Sequence, residues 1–454
     1  MATTYIQRTQ TNGTSSQKFT VSCWLKRGGL TSTQAIWGSG SATNDGCDLL
    51  MTGTDELSFE SWDGSVNPKL ITNRKFKDTS GWYNIVCAVD TTQATEADRI
   101  KIYVNGVQET SFGTANYPSQ NYNLAVSTTN DVMKFGAGGQ YATSYLDGSM
   151  SYVAFVDGTQ ELPGIFGETD STTGEWEIKT TITPSAGWGT NGCLLLKNGN
   201  SLTDESGNAN NFTLGGGTLT KTEDCPDNVF STNNPLDNYY YESTFSNGNT
   251  TIVSNASTGK YSYGTTTFGI PDNKKIYCEV KMVAVSSGSI QSRVGLISYP
   301  TTSATVGVGS TTYTYGYSTD SGNIVTGNAG SSYGNAFALG DIMGIAVDTV
   351  NNKLYFSKNG TWQNSGDPTS GATGTGAVSI ADLGTNDSTN SGNYFLGFSD
   401  EANNAGATLS WNFGNGYFGT TVISSAGTSA STPGIFEYDV PTGYEPLSTK
   451  GLNA

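Results

Sequence analysis

The chain has 454 residues and a net charge of −17, which argues against nucleic acid as a partner, because phosphate is bound by Lys and Arg and no basic stripe is present. It contains no histidine, which removes Ser-His-Asp and Cys-His constellations, imidazole bases and His-ligated metals together. Charged residues make up only 13%, against roughly 25% in an average soluble domain, yet 24 Tyr, 18 Phe and 8 Trp supply enough apolar bulk for packed cores rather than disorder.

In chain order, short alternating runs separated by turn signals come first, at 19–26, 34–38, 57–62, 83–90, 100–104, 132–136 and 150–155. Evenly spaced short strands without helical periodicity predict an all-β sandwich. The one stretch with helical character, Glu96-Ala-Asp-Arg99, reads equally as a loop. Within this block Ile85-Val-Cys-Ala-Val-Asp90 runs through a polar loop into Ile100-Lys-Ile-Tyr-Val-Asn-Gly106. Asn-Gly most readily supplies the two positive-φ positions of a type I′ turn, so the cassette is a hairpin signal.

From 161 to 240 apolar patterning thins and Gly and Asn cluster, as in Gly187-Trp-Gly-Thr-Asn-Gly192 and Gly215-Gly-Gly217. This segment is expected to be an irregular connector resting on the first sandwich. Strands resume at 261–263, 275–285, 292–297, 312–318, 344–348, 353–357, 394–399 and 408–413, and Gly344-Ile-Ala-Val-Asp348 with Lys353-Leu-Tyr-Phe-Ser-Lys-Asn-Gly360 repeats the hairpin cassette. A Ser/Thr/Gly stretch then leads to a last alternating run, Phe436-Glu-Tyr-Asp-Val440, stopped by Pro441. A lone strand on a flexible lead is expected to dock on a sheet of its own chain or of a neighbour. The expected domains are a sandwich at 1–160, the connector at 161–240, a second sandwich at 241–416 and a C-terminal loop and strand at 417–454.

Cys23, Cys87 and Cys278 lie in phase with apolar strand positions and read as buried thiols. With Cys47, Cys193 and Cys225 the count is even, and the spacing leaves disulfides open. Met1-Ala-Thr-Thr-Tyr-Ile-Gln-Arg8 has no apolar segment of the signal-peptide kind. No run approaches the ~18 apolar residues that cross a bilayer.

The first block resembles LamG-like, concanavalin-type jelly rolls through Phe19-Thr-Val-Ser-Cys-Trp-Leu-Lys-Arg27, Gly81-Trp-Tyr-Asn-Ile-Val-Cys-Ala-Val-Asp90 and Leu146-Asp-Gly-Ser-Met-Ser-Tyr-Val-Ala-Phe155. The second is similar to SPRY domains through Lys275-Ile-Tyr-Cys-Glu-Val-Lys281, Val294-Gly-Leu-Ile297, Ile342-Met-Gly-Ile-Ala-Val-Asp348 and Leu409-Ser-Trp-Asn-Phe-Gly414. The linking phrases Phe166-Gly-Glu-Thr-Asp-Ser-Thr-Thr-Gly-Glu-Trp176, Asp204-Glu-Ser-Gly-Asn-Ala-Asn-Asn-Phe212 and Asp224-Cys-Pro-Asp-Asn-Val-Phe230 look like those of virion proteins from marine and cyanobacterial tailed phages. The fold class so implied is all-β, two concanavalin-like antiparallel jelly-roll sandwiches in tandem, with an irregular connector and a C-terminal strand.

Catalytic chemistry finds little support. Glu168-Thr-Asp170 and Glu175-Trp-Glu177 have the alternate spacing of jelly-roll glycosidase carboxylates, but both lie in the turn-rich connector, where a rigid strand face is not expected. Asp45-Gly-Cys-Asp48 and Asp147-Gly148 could lend oxygens to a calcium ion, although no ladder of Asp and Asn is present, and no other cofactor is expected. Aromatics in polar, Gly-rich surroundings are the binding candidates, since sugars want flat faces beside amides and carboxylates: Trp62 with Asp63, Tyr141, Tyr333 with Asn335, and Trp362 with Gln363. Trp24, Trp82 and Trp411, inside strand patterns, are expected in the cores.

The resemblance implies a non-enzymatic phage virion protein, a tail fibre or surface appendage presenting glycan- or protein-binding sandwiches for host recognition, made in the host cytoplasm without a signal peptide. A capsid decoration, cement or head-fibre role is the alternative, because the first strand leaves little room for a tail adaptor. A polysaccharide depolymerase spike is the second alternative, opposed by the missing catalytic groups and long repeats. Expected partners are other virion proteins, a host surface glycan or protein, and further copies of the chain, a trimer by analogy; no nucleic acid and no membrane insertion is expected.

Overall fold

Side chains alternate faces along a strand, and in Lys18–Arg27 the residues Phe19, Val21, Cys23 and Leu25 all turn into one core with no exposed surface. The computed structural model describes residues 3–453 except 42–44, 65–66, 140–142, 256–260, 287–290, 299–302, 304, 385–389, 401–405 and 429–432. The chain divides into two units, Met1–Lys221 and Thr222–Ala454.

The first unit faces an eight-stranded sheet against a six-stranded one. The larger runs in the order Phe112–Asn116, Lys69–Lys75, Glu56–Trp62, Gly46–Met51, Gln34–Gly40, Val132–Phe135, Tyr5–Thr9, Thr213–Gly216. The smaller runs Cys193–Leu195, Gly148–Asp157, Lys18–Arg27, Trp82–Asp90, Ile100–Val104, Val107–Gln108. Phe19, Trp37, Phe59, Ile85, Phe135 and Phe155 fill the space between them. The outer face of the smaller sheet is also covered, by Ile165, Phe166, Ile182 and Trp188 against Val86, Ala88, Ala154 and Val156. That second layer explains why all nine residues of Trp82–Asp90 are buried.

The second unit repeats the plan with a seven-stranded sheet, Asn233–Tyr240, Ser262–Ile270, Tyr394–Asp400, Ser292–Ile297, Thr314–Ser318, Asn323–Thr326, Ala329–Ser332. Its partner sheet runs Thr244–Ser246, Thr251–Val253, Ala407–Asn412, Lys275–Val285, Ile342–Asp348, Lys353–Lys358, Thr361–Trp362, with Val378–Ser379 and Glu445–Pro446 attached. Val280, Leu296, Tyr317, Ile345, Phe356, Phe398 and Trp411 form its core. Of the segment 161–240, residues 161–221 fall in the first unit and 222–240 in the second. The stretch at 96–99 is a short 3-10 turn, Glu96–Asp98.

The C-terminal strand expected at 436–440 is not a strand. Phe436, Val440 and Tyr444 are buried on the outer face of the nine-stranded sheet against Tyr277, Ala346 and Tyr355. A segment lying across a sheet face cannot join the sheet's ladder, and only Glu445–Pro446 pairs, in parallel, with Lys275–Val285. A short helix, Thr449–Asn453, follows. All six cysteines are free thiols, and five of them, including Cys23, Cys87 and Cys278, are buried.

One ion pair stands inside the first unit. Arg27 and Asp55, whose side chains have no exposed surface, meet at 3.0 Å. The guanidinium also donates to the carbonyls of Phe76 and Gly29, and the Thr31 N–H reaches the Asp55 carboxylate at 2.9 Å. Removing one member of a buried pair strands the other charge, at a cost of about 3–5 kcal/mol. Asp55→Asn is therefore expected to lower the unfolding free energy by about that much in urea titration.

Candidate binding site

The hairpin of the second unit pairs Asp348 with Lys353 through Met343 with Lys358, then turns back at Asn359 (φ 49°) and Gly360 (φ 77°) into Thr361–Trp362. The Asn359 carboxamide does two jobs. Its Oδ1 accepts from the Ile342 N–H at 2.8 Å, and its Nδ2 donates to Asp341 at 2.7 Å. The Lys358 ammonium lies 2.9 Å from the other Asp341 oxygen and donates to the Ala336 carbonyl at 2.6 Å. Burial works against the charge of Asp341, but the Ala338 N–H, the Asn359 carboxamide and Lys358 outweigh it and hold the carboxyl below its usual range.

The other end of the same loop is fastened by Gln363. Its buried carboxamide oxygen accepts from the Asn335 N–H at 3.0 Å and the Asn335 side chain at 3.2 Å, while its nitrogen donates to the Thr361 carbonyl at 2.9 Å. The loop 333–341 and the hairpin end 358–364 thus form one braced rim. Outward it presents Asn335, Thr361, Asn364 and an exposed Leu339. Trp362 is half-buried, its ring edge-on to Tyr277 and Tyr355 at 6.4 Å from each. A surface whose backbone is already fixed loses less freedom when a ligand binds.

The structure distributes the sequence candidates unevenly. Asn335, Trp362 and Gln363 come together at this rim, with Gln363 as its inner brace. Tyr333 is a correction: only 9% exposed, it belongs to the core, edge-on to Tyr317 and Phe356. Burial pushes its phenol up to about 12. Trp62 and Asp63 lie in the first unit. Trp62 rests half-buried over Gly46, where an added Cβ would come within 2.5 Å of the indole. Asp63 is exposed and accepts from the Tyr122 hydroxyl at 2.6 Å. Tyr141 lies outside the described residues. Trp24, Trp82 and Trp411 are buried, as expected. Sequence reasoning missed Leu339, Lys358 and Asp341, whose only signal was an apolar residue in a Gly-flanked loop and two charges bracketing a hairpin.

Two of the four connector carboxylates, Glu168 and Glu177, do sit on strands, against expectation, while Asp170 and Glu175 lie in the turn between them. Gly167–Thr169 and Trp176–Ile178 form a hairpin with Glu168 directly opposite Glu177. The Trp176 indole fixes this hairpin, donating to Asn84 at 3.0 Å. Glu168, Glu175 and Glu177 all face solvent rather than a cleft, and Asp170 is spent on the turn, accepting from the Thr172 and Thr173 N–H groups. Among the described residues no group of three or more His, Cys, Asp or Glu side chains is placed to hold a metal ion. Asp45 accepts from Ser41, and Asp48, pushed up to about 6 by burial, accepts from the Gly139 N–H. No helix among the described residues is long and apolar enough to cross a membrane.

Residues 1–161 match the family model of the concanavalin A-like lectin/glucanases superfamily, and residues 275–381 that of the SPRY domain. None of the curated proteins matches the chain. Among solved structures it is similar to a human SPRY domain, at 18% identity over 36% of this chain and 90% of that one, TM-score 0.27. It is also similar to the SPRY domain of human HERC1, at 16% identity over 39% and 96%, TM-score 0.30. A third is domain 4 of AbnA, an extracellular arabinanase of Geobacillus stearothermophilus in complex with arabinotriose, at 22% identity over 32% and 64%, TM-score 0.25. The chain is an all-β protein in which a LamG-like, concanavalin-type domain precedes a SPRY domain, both of them sandwiches.

The division between core and rim has a direct test. Tyr333→Ala is expected to cost about 3–5 kcal/mol, as other large-to-small changes of core aromatics do. Leu339→Ser should stay within about 0.5 kcal/mol of the parent. Chemical denaturation of the two variants checks both.

Proposed function

We propose that the chain is a structural component of a tailed-phage virion, a tail fibre or surface appendage, and that the rim at 335–341 and 358–364 is where it meets a glycan or protein of the host surface. The observation that carries the binding reading is the brace. Gln363, Asn359, Asp341 and Lys358 fix the backbone of two adjoining loops while Leu339, Thr361, Asn364 and part of Trp362 remain open. Loops fixed by a rigid scaffold are where binding residues concentrate. The virion reading is supported by the order of the linking phrases around 166–176, 204–212 and 224–230. An appendage of this kind is expected to assemble with other virion proteins and with further copies of itself, the number three coming from analogy alone.

The test uses fluorescent full-length protein on intact cells of the host in which the particles grow. Saturable binding is expected, weakened at least tenfold by Leu339→Asp and by Thr361→Ala with the melting temperature unchanged. Binding that ignores both changes would remove the rim from recognition, and immunogold label confined to the capsid would favour a decoration protein. No reducing ends should appear when the same cells' surface polysaccharide is incubated with the protein. Release of reducing ends that Glu177→Gln abolishes would overturn the non-catalytic reading.

A further inference from the structure

Asn-Gly pairs stand at 12–13, 105–106, 191–192, 198–199, 247–248, 359–360 and 415–416. Such a pair carries chemistry of its own, because the glycine nitrogen, with no Cβ beside it, can turn onto the asparagine Cγ and close a ring. Two freedoms are needed together: a nitrogen that donates nowhere else and a carboxamide able to swing onto it. The fold withholds one or the other from every pair except that at 198–199.

At three pairs the nitrogen is engaged. Gly13 donates to the Ser127 carbonyl at 2.9 Å, Gly192 to the Gly189 carbonyl at 3.3 Å and Gly416 to the Asn412 carboxamide at 3.2 Å. Asn191 is held besides, its buried carboxamide accepting from Arg8 and the Thr11 N–H while donating to the Thr11 carbonyl. At three others the carboxamide is tied. The Asn105 and Asn359 oxygens accept the N–H groups of Asn84 and Ile342 at 2.8 Å each, which fastens Cγ to the start of the hairpin. The Asn247 nitrogen donates to the buried Thr251 hydroxyl, itself bonded to Ser410, and the Asn247 carbonyl accepts from the Thr250 hydroxyl, so that turn is closed on both sides.

The pair at 198–199 has neither restraint. Asn198, Gly199 and Asn200 are all exposed, and among the described residues no backbone N–H or carbonyl of 197–200 is hydrogen-bonded. The Asn198 side chain has a single surface tie, from Nδ2 to the Glu205 carboxylate, whose other oxygen lies 3.9 Å from the Lys197 ammonium. That tie leaves Cγ and the carboxamide oxygen unbraced. It also sets a negative charge against the one nitrogen that has to depart.

We propose that Asn198-Gly199 is a self-modification site, at which the chain converts a neutral asparagine to aspartate and isoaspartate without a second protein. The Gly199 nitrogen gives its proton to solvent and bonds to the Asn198 Cγ. The Cγ–Nδ2 bond then breaks, Nδ2 takes up a proton and leaves as ammonia, and a succinimide remains. Water is the co-reactant: it opens the ring at Cγ to give aspartate, or at the Asn198 main-chain carbonyl carbon to give isoaspartate. Glu205 stabilises the positive charge that gathers on Nδ2 as it is protonated. Once the reaction is complete a carboxylate faces Glu205 where a donor stood, and like charges at that range repel. The loop gains one negative charge and loses its tie.

Peptide mapping by mass spectrometry, with digestion in acid after the full chain has stood in warm, mildly alkaline buffer, reads every pair separately. Conversion at Asn198 is expected to run at least tenfold faster than at any other Asn-Gly pair. In urea the rates should draw within a few-fold of one another, because the difference belongs to the fold. Glu205→Gln, a surface change, should slow Asn198 severalfold and leave the other pairs as they were. Another pair converting first, or the same ranking in urea, would overturn the proposal, and an unchanged Asn198 rate in Glu205→Gln would overturn the part given to the carboxylate. None of these outcomes depends on what the rim binds.

Discussion

Both sandwiches depend on one local closure, an asparagine at a hairpin turn whose side chain and backbone return to the residue where the hairpin began. In the first unit Asn105 accepts the Asn84 N–H on its side chain at 2.8 Å and gives its own N–H to the Asn84 carbonyl at 2.8 Å. In the second, Asn359 and Ile342 exchange the same two bonds at the same 2.8 Å. The opposite end of each hairpin is held by an aspartate that meets a lysine of the adjoining strand in the sheet, Asp90 with Lys18 at 3.2 Å and Asp348 with Lys275 at 3.3 Å. Two backbone conformations and two short polar side chains therefore fix the register from which the rest of each sheet is laid out.

That closure also sets what can lie on top of it. Gly106 and Gly360 both have φ 77°, and a Cβ on either would come within 2.5 Å of the Trp176 ring or 2.6 Å of the Tyr438 ring. Glycine is needed there for the turn and again for the aromatic that covers it. In each unit that aromatic belongs to a later segment lying on the outer face of the hairpin's sheet. A sheet covered on both sides buries its strands throughout, as in Ile342–Asp348. Little of such a sheet is left to meet a ligand, which is why the proposed binding surface is the loop ends braced by Gln363 and Asp341.

The parts legible in the sequence are those where one residue type fixes one conformation. Asn-Gly encodes two positive φ angles, and alternation encodes a buried face, so both cassettes and the strands that build on them can be read directly, whereas Gly46–Met51, Lys69–Lys75 and Asn233–Tyr240 were not read. Phe436, Tyr438 and Val440 also alternate, but alternation does not say whether the backbone will be met by a strand or by a carboxylate. The only hint was Glu279, an acid among apolar strand positions, whose carboxylate accepts the Glu437 and Tyr438 N–H groups. Tyr333 misled for the opposite reason: its polar neighbours Gly334 and Asn335 suggested exposure, while the rings that enclose it, Tyr317 and Phe356, are distant in sequence. The hairpin carrying Glu168 and Glu177 has three residues per strand, too few for a periodic signal, and it is held by the Trp176 indole on Asn84, a contact no local pattern reveals.

The central claim is that the braced rim of the second sandwich, rather than a sheet face, is the surface that recognises. A hydrogen-exchange footprint of the full chain bound to host cell envelopes tests it most directly. The account predicts slowed exchange at 335–341 and 359–365, with the strands of both sandwiches unchanged. Slowed exchange confined to the first unit, or spread over the sheet strands with the rim unaffected, would contradict it.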